Sequence, residues 1–208
     1  MIELERLLKM KSINTILNKA ANKILKKFEN ELDDIILYGS YMKGKEKYND
    51  IHILLIFKNR VNKKIESEFK DELIISEFNK FDINSITINE LKGDGFIAKE
   101  GLYLEGKSLI SGKLLSESLG FISLAFVKYD ISKIKGSLRT RLYYSLIGRG
   151  VSKGFLSEIK GVRYSDNVII CEYSVIEKLK EFLNHWNIEY EITPSLVPKR
   201  LKNIILKS

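Results

Sequence analysis

A glycine–serine pair in the first quarter of the chain has the residue types of a phosphate-binding turn. Gly39 and Ser40 follow an apolar run, residues 35–38, that is typical of a buried strand. Glycine lets the backbone approach a phosphate closely, and serine offers a hydroxyl and an amide to the phosphate oxygens. We therefore predict that Gly39 and Ser40, with Lys43 in the polar loop that follows, bind a nucleotide.

Two carboxylates and an imidazole accompany the apolar strands that follow this pair. Nine residues separate Ser40 from Asp50, and alternation along strand 51–57 places Asp50 and His52 on one face. Asp82 interrupts a further apolar strand and would meet them from a neighbouring position. Metal-assisted phosphoryl transfer uses such ligands beside a phosphate-binding turn, because metal ions neutralise the charge that develops on the phosphate oxygens. The pattern predicts metal ligands at Asp50, His52 and Asp82.

This arrangement resembles the DNA polymerase beta-like nucleotidyltransferase superfamily, most closely its minimal, stand-alone members, over about residues 12–112. Their motif is a hydrophobic residue, Gly-Ser or Gly-Gly, about nine to thirteen residues, Asp-x-Asp between apolar residues, and an acid on a later strand. Gly39, Ser40, Asp50 and Asp82 match it by position. The resemblance implies transfer of a nucleoside monophosphate from a metal-bound NTP to an acceptor hydroxyl, with pyrophosphate leaving. It also implies catalytic roles for Asp50 and Asp82, and Mg²⁺ or Mn²⁺ as the cofactor.

His52 is the departure from this motif, which has a second carboxylate at that position. A neutral imidazole supplies no charge and suits Zn²⁺, Mn²⁺, Fe²⁺ or Ni²⁺ better than Mg²⁺. Three interpretations stay open: a degenerate site that binds NTP without turnover, catalysis with a softer metal, or a second ligand elsewhere, for example Glu77. The sequence therefore leaves open whether the chain is an active enzyme.

The second half of the chain holds nearly all of the excess positive charge. Residues 1–120 contain 20 Lys and Arg against 19 Asp and Glu, whereas residues 121–208 contain 15 against 8. Arginine can bind phosphates bidentately, and tyrosine can stack on unpaired bases. The run of basic residues around Tyr143 and Tyr144 predicts binding of RNA or single-stranded DNA, with a solvated helix face as the alternative. Its members are Lys135, Arg139, Arg141 and Arg149.

The order of the apolar patterns predicts an α/β protein in two parts. Residues 1–115 would form a nucleotidyltransferase-like domain, a small mixed sheet flanked by helices, and residues 116–208 a small basic α/β module. Predicted helices cover residues 12–30, with Ser12 as the cap, 59–70, 133–147 and 174–186, and residues 89–112 are mostly helical. Predicted strands cover residues 35–38, 51–57, 72–77, 81–87, 121–130, 168–173 and 188–192.

Composition narrows the classes of protein to which the chain can belong. The single cysteine, Cys171, rules out an intramolecular disulfide and favours a reducing compartment. No run of about 18 apolar residues occurs, and residues 1–10 lack the pattern of a signal peptide, so we expect a cytoplasmic protein without a membrane span. The functional prediction is nucleotidyl transfer to a nucleic-acid or protein acceptor. The alternative is a degenerate relative of that fold that binds nucleic acid or, like an antitoxin, a protein partner.

Overall fold

Two compact units make up the described part of the chain. The computed structural model describes residues 2–43, 50–75, 80–93, 95 and 99–207. One unit lies within residues 2–42 and 50–115, and the other consists of Lys43 with residues 116–207. Among the described residues, no helix is both long enough and apolar enough to cross a membrane.

A four-stranded mixed sheet forms the centre of the first unit. Its strands are β1 (Leu32–Tyr38), β2 (Ile51–Phe57), β3 (Phe81–Thr87) and β4 (Lys107–Ser108), in the spatial order β3-β2-β1-β4. Strand β1 is antiparallel to β2 and to β4, whereas β2 and β3 run parallel. The C-terminal end of β1 and the N-terminal ends of β2 and β3 therefore lie at the same edge of the sheet.

Helices cover both faces of this sheet, because each strand alternates apolar side chains between the two faces. Helices α1 (Ile2–Lys27) and α2 (Lys63–Ile75) cover one face, where Leu17 and Phe69 pack with Ile53 of β2. Helices α3 (Ile88–Lys92) and α4 (Lys99–Glu105) belong to the other face, where Leu102 packs with Leu54. The first unit is therefore a three-layer α/β arrangement with two cores.

The second unit contains a four-stranded antiparallel sheet of its own. After α5 (Leu115–Ser118), which spans the boundary, come β5 (Phe121–Asp130), α6 (Gly136–Ile147), the hairpin β6 (Gly148–Arg149) and β7 (Ser152–Lys153), and α7 (Phe155–Glu158). The chain ends with β8 (Val162–Ser165), β9 (Val168–Glu172), α8 (Ile176–His185), β10 (Glu189–Pro198) and α9 (Lys202–Ile205). The sheet order is β10-β5-β9-β8.

The core of the second unit lies between this sheet and its helices. Buried Val127 and Cys171 of the sheet pack with Leu142 of α6 and Leu179 of α8. Leu124 belongs to a smaller cluster that forms separately from this core. The predicted fold class, an α/β protein with a small mixed sheet flanked by helices and a second α/β module, is confirmed.

Several predicted element limits are wrong, and each has a physical cause. Helix α1 begins at Ile2, so Ser12 lies inside it and is no cap; no proline or glycine interrupts residues 2–27. Residues 72–75 continue α2 instead of forming a strand, because Leu73 extends the buried helical stripe of Ile65 and Phe69. Residues 89–112 divide into α3, α4 and β4. Strand β10 continues through Pro194, which an edge strand tolerates because, in the sheet of the described residues, only one side of its backbone is paired.

Candidate functional site

The residues of the first unit that are predicted to bind phosphate or metal lie together at one edge of its sheet. In the register of the strands, Tyr38 at the end of β1 lies opposite His52, and His52 lies opposite Asp82 of β3. Gly39 follows Tyr38 directly, and Asp50 precedes β2 directly. Strand pairing therefore brings together residues that are as many as 43 positions apart, from Gly39 to Asp82.

Gly39 has a role that the sequence did not predict. Its φ is +86°, a conformation that residues with a side chain rarely adopt. A Cβ at this position would lie 2.7 Å from Cδ2 of His52, well inside van der Waals contact. The absence of a side chain at residue 39 thus lets the imidazole lie against the backbone of the turn. The close approach that the sequence assigned to a phosphate is made here by His52.

The turn after Gly39 is fixed by its neighbours. The Met42 amide donates to the Gly39 carbonyl over 3.0 Å, which closes the turn. Tyr41 is buried, and its hydroxyl donates to Oδ1 of Asn14 in α1 over 3.1 Å. Ser40 is half-buried in the same turn. These hydrogen bonds therefore hold the turn in a pre-organised conformation.

His52 lies between the two carboxylates. Its Nδ1 is 3.2 Å from Oδ2 of Asp82, and its Nε2 is 3.8 Å from Oδ1 of Asp50. The side chains of His52, Asp50 and Asp82 are 34%, 44% and 49% exposed, so all three are accessible from solvent. The imidazole ring is also 5.6 Å from the ring of Tyr38, centroid to centroid. The side chain at position 52 is thus held by contacts with both strands and with the turn.

Tyr38 and Asn84 extend this group by hydrogen bonds. Asn84 follows Asp82 by two positions, on the same face of β3, and its Nδ2 donates to Oδ2 of Asp82 over 2.9 Å. The same amide is 3.5 Å from the Tyr38 hydroxyl. Burial raises the pKa of Tyr38, the Asn84 hydrogen bond opposes that shift, and the Asp82 charge adds to it. The Tyr38 hydroxyl is therefore a neutral hydrogen-bonding group at physiological pH.

A buried carboxylate accepts a hydrogen bond from the first residue of the turn. Glu105, the last residue of α4, is 8% exposed, and its Oε1 accepts the Gly39 amide over 3.0 Å. This hydrogen bond uses the one backbone donor of Gly39, so that amide is not available to a ligand. Glu105 thereby fixes the start of the turn.

The donor set does not fit a two-metal centre as these side chains are placed. Such a centre uses carboxylates that bridge two ions, and here an imidazole separates Asp50 from Asp82. Over the described ranges, no group of three or more His, Cys, Asp and Glu side chains is arranged to hold a metal ion. The assignment of metal ligands to Asp50, His52 and Asp82 stays a prediction.

The other predicted site residues lie outside this group. Lys43 is assigned to the second unit, where its Nζ is 5.7 Å from the centroid of the Tyr173 ring. Glu77, the alternative second ligand, lies outside the described residues. The basic residues predicted to bind nucleic acid are all exposed in the second unit; they are Lys135, Arg139, Arg141 and Arg149.

Sequence reasoning missed three residues of the site. Asn84 had a usable signal, because it is a polar residue two positions from Asp82 in an apolar strand and therefore shares its face. Tyr38 also had a usable signal, since it immediately precedes the predicted turn. Glu105 had none, because 66 positions separate it from Gly39 and only the fold brings them together.

Comparison with known proteins finds similarity over part of the chain. No protein-family model matches it. Over 69 residues it is 36% identical to a Methanocaldococcus jannaschii protein named "Putative protein adenylyltransferase", a stretch that covers 33% of this chain and 47% of the relative. The chain thus spans about half the length of the curated relative that it matches.

Two solved structures are similar to about half of the chain, at low TM-scores. One is a toxin–antitoxin with AMP-PNP, with a TM-score of 0.36 and 21% identity, covering 49% of this chain and 78% of that chain. The other is a tri-AMPylated Shewanella oneidensis HEPN toxin in complex with MNT antitoxin. Its TM-score is 0.31 at 19% identity, and the match covers 50% of this chain and 78% of that chain.

Proposed function

We propose that the first unit is a nucleotidyltransferase that transfers a nucleoside monophosphate from an NTP to a hydroxyl group of a protein. The observation that carries this proposal is the convergence of the Gly39–Ser40 turn with Asp50 and Asp82 at one edge of the sheet. A turn that can hold phosphate beside two accessible carboxylates has the parts that phosphoryl transfer requires. The similarity to a relative named as a protein adenylyltransferase supports both the reaction and the protein acceptor.

The reaction requires one bond to form and one to break. The acceptor hydroxyl oxygen attacks the α-phosphorus of the NTP, the bond from that phosphorus to the bridging oxygen breaks, and pyrophosphate leaves. Asp50 or Asp82 accepts the proton of the acceptor hydroxyl, which their 44% and 49% exposure permits. Ser40 would hold the triphosphate through its hydroxyl and amide. His52, between the two carboxylates, would keep them apart and oriented.

A second candidate function is NTP binding without transfer. The imidazole at position 52 favours it, because the related motif has a carboxylate there and the two remaining carboxylates are both in contact with His52. In that case the first unit would bind a nucleotide or a partner through the pre-organised turn and catalyse nothing. The metal requirement is part of the same question, since it depends on the residue at position 52.

Transfer of label from α-labelled NTPs to protein, RNA and DNA, with Mg²⁺, Mn²⁺ or Zn²⁺ present, tests the first candidate. We expect label to be transferred to protein, and Asp50→Asn and Asp82→Asn to lower the rate about 100-fold or more. Asp33→Asn is the matched control, because Asp33 is an exposed acid in β1 away from the site edge. Transfer no faster than in Asp50→Asn, with every metal and acceptor, would contradict the proposal.

The His52→Asp variant decides between the two candidates. If the native site is degenerate, the new carboxylate restores the motif and Mg²⁺-dependent transfer appears in the variant. If His52 is a working residue, the variant loses the transfer that the wild type has. Binding of a fluorescent ATP analogue, measured beside transfer, shows whether a variant without transfer still binds nucleotide.

A further inference from the structure

An exposed basic surface of the second unit has features that catalysis by the first unit does not explain. Residues 131–157, which include α6 and the β6–β7 hairpin, contain six Lys and Arg and no Asp or Glu. We define the α6–hairpin surface as the exposed basic and aromatic side chains of α6 and the hairpin; they are Arg139, Arg141, Tyr143, Tyr144, Arg149 and Lys153. Within the described chain, no ion pair is formed by Arg141, Arg149 or Lys153.

Two adjacent tyrosines stand on the outer face of α6. Tyr143 is 46% exposed and Tyr144 is 39% exposed, whereas Leu142 and Leu146 form the buried face of the helix. The two rings meet edge to face, with centroids 6.0 Å apart and an interplanar angle of 71°. Packing of the core therefore accounts for the leucines but leaves two large aromatic rings open to solvent.

Arginine side chains hold both rings in place. The guanidinium carbon of Arg149 is 5.0 Å from the Tyr144 ring centroid, and that of Arg163, in β8, is 5.6 Å from the Tyr143 ring centroid. Such contacts restrict the rings and place positive charge beside them. Flat, fixed rings beside guanidinium groups are the components of sites that stack unpaired bases and bind the backbone phosphates.

Helical spacing gives each ring a further arginine. Arg139 precedes Tyr143 by four positions and Arg141 precedes Tyr144 by three, so each pair lies on one stripe of the helix surface. Arg139 also lines an open cleft of about 850 Å³ with the acidic residues Asp130 and Asp166, which would offset its charge. Arg141 and Arg149 are therefore the better candidates for phosphate contacts.

The β6–β7 hairpin extends this surface and is tied firmly to α6. A Cβ on Gly154 would lie 2.2 Å from the backbone carbon of Ile147, and one on Gly148 would lie 2.2 Å from the carbonyl oxygen of Ser152. The hairpin backbone therefore packs directly against the last turn of α6. Val151 is fully exposed at its tip, between Arg149 and Lys153 on the two strands.

We propose that the α6–hairpin surface binds single-stranded nucleic acid, with Tyr143 and Tyr144 stacking on bases and Arg141 and Arg149 contacting phosphates. A single strand fits better than a duplex, because only unpaired bases present their faces to aromatic rings. The charge of the segment matches a polyanion and leaves no acidic residue within it to repel the phosphates. This binding does not depend on the reaction proposed for the first unit.

The test is binding of fluorescein-labelled oligouridylate and oligothymidylate, each of about 12 nucleotides, to the full chain at several salt concentrations. We expect both to bind, because ring stacking does not read the sugar, and a matching RNA duplex to bind more weakly. In Tyr143→Leu/Tyr144→Leu, which keeps apolar bulk but removes the flat rings, we expect affinity to fall by at least about 5-fold. Tyr143→Phe/Tyr144→Phe keeps the rings and should bind like the wild type.

Arginine variants test the phosphate contacts separately. Arg141→Ala and Arg149→Ala each remove one guanidinium group, and each should lower the slope of log affinity against log salt by roughly 0.7. Tyr164→Ala is the matched control, because Tyr164 is 68% exposed in the same unit but does not belong to the α6–hairpin surface. Undetectable binding of both oligonucleotides at low salt would overturn the proposal. The proposal would also be overturned if the duplex bound as tightly as the single strands and the double leucine variant kept the affinity of the wild type.

Discussion

The imidazole of His52 lies beside four other residues of the candidate site. It faces Asp82 and Asp50 through its two nitrogens, lies beside the Tyr38 ring, and fills the space that a side chain at position 39 would need. A change at Gly39 should therefore act partly through His52. The stability of variants at these two positions measures that coupling.

Gly39→Ala should lower the free energy of unfolding by about 1–3 kcal/mol, because alanine is strained at a φ of +86° and its Cβ meets His52. His52→Ala removes the clash but not the strain, so the double variant should lose less stability than the two single variants add up to. Urea denaturation of all three variants measures this. Gly101→Ala is the control: among the described residues, its Cβ would meet no atom within 4 Å outside its own helical turn, so in α4 it should raise stability slightly. Strict additivity would contradict the contact.

Cys171 gives a prediction for alkaline pH. Burial raises the pKa of its thiol to about 12, against 9.0 for a free thiol. Below about pH 9 the thiol is neutral in both the folded and the unfolded chain, so its contribution to stability is complete. Between about 9 and 12 only the unfolded chain ionises, and stability falls by about 1.4 kcal/mol per pH unit.

Comparison with Cys171→Ala isolates this effect from the other groups that titrate at high pH. Between about pH 8 and about pH 10.5, wild type should lose about 2 kcal/mol more stability than the alanine variant. Urea midpoints at both pH values give the two losses. Equal losses would show that the thiol is ionised, and therefore accessible, in the folded protein.

At the scale of elements, the strands that carry the site were predicted better than the segments that join them. Residues 51–57 and 81–87 match β2 and β3 because both patterns are local: β2 is apolar except for His52, and β3 begins by alternating apolar Phe81 and Ile83 with polar Asp82 and Asn84. The two-residue strands β4, β6 and β7 have no such run, and only pairing with a partner strand makes them strands. Short elements were therefore missed for the same reason in both units.

Ser108 joins β4 to β1. Its hydroxyl donates to Oδ1 of Asp34 over 2.8 Å and accepts the amides of Ile110 and Ser111. Burial raises the pKa of Asp34, and the hydrogen bond from Ser108 opposes this. We expect Ser108→Ala to lower the free energy of unfolding by about 1–3 kcal/mol, because it leaves partly buried polar groups without this partner.

Thermal or urea denaturation checks the Ser108→Ala prediction against Ser111→Ala. Ser111 is exposed in the same turn, and its hydroxyl accepts one amide, that of Lys113, over 3.3 Å. The control should therefore change stability by less than about 0.5 kcal/mol. A loss of the same size in both variants would mean that the Asp34 contact is not what holds β4 to β1.

At the scale of the whole molecule, each unit has its own sheet and its own cores. The clusters around Leu17 and Leu102 contain residues of the first unit, whereas those around Cys171 and Leu124 contain residues of the second. We propose that residues 116–208 fold without the rest of the chain. Cores that share no residues make this expectation physically reasonable.

A fragment of residues 116–208 should show cooperative urea unfolding followed by circular dichroism. Its single thiol, Cys171, should react with a thiol reagent as slowly as it does in the whole protein, because the residues that bury it are all in the fragment. A matched Leu179→Asp fragment, with a charge in the same core, should be unfolded and react fast. Fast reaction of the unchanged fragment would contradict the proposed boundary.

The sequence by itself determined four of the residues that meet at the site, Gly39, Asp50, His52 and Asp82, and the face that Asp50 and His52 share. The Gly39–Ser40 pair at the end of an apolar run, and the alternation that puts Asp50 and His52 together, are local patterns of period two. The basic helix is also a local feature, because its arginines and tyrosines are neighbours along the chain. Local spacing is sufficient for these features because they depend on the backbone conformation of a few consecutive residues.

Only the tertiary structure decided how those residues meet. The register that sets His52 opposite Asp82, and the hydrogen bond from Gly39 to Glu105, join positions 30 and 66 residues apart. Such contacts depend on how strands and helices pack, which no local spacing specifies. The structure thereby assigned the space beside Gly39 to the His52 ring, and it placed the rings of Tyr143 and Tyr144 in solvent beside two guanidinium groups.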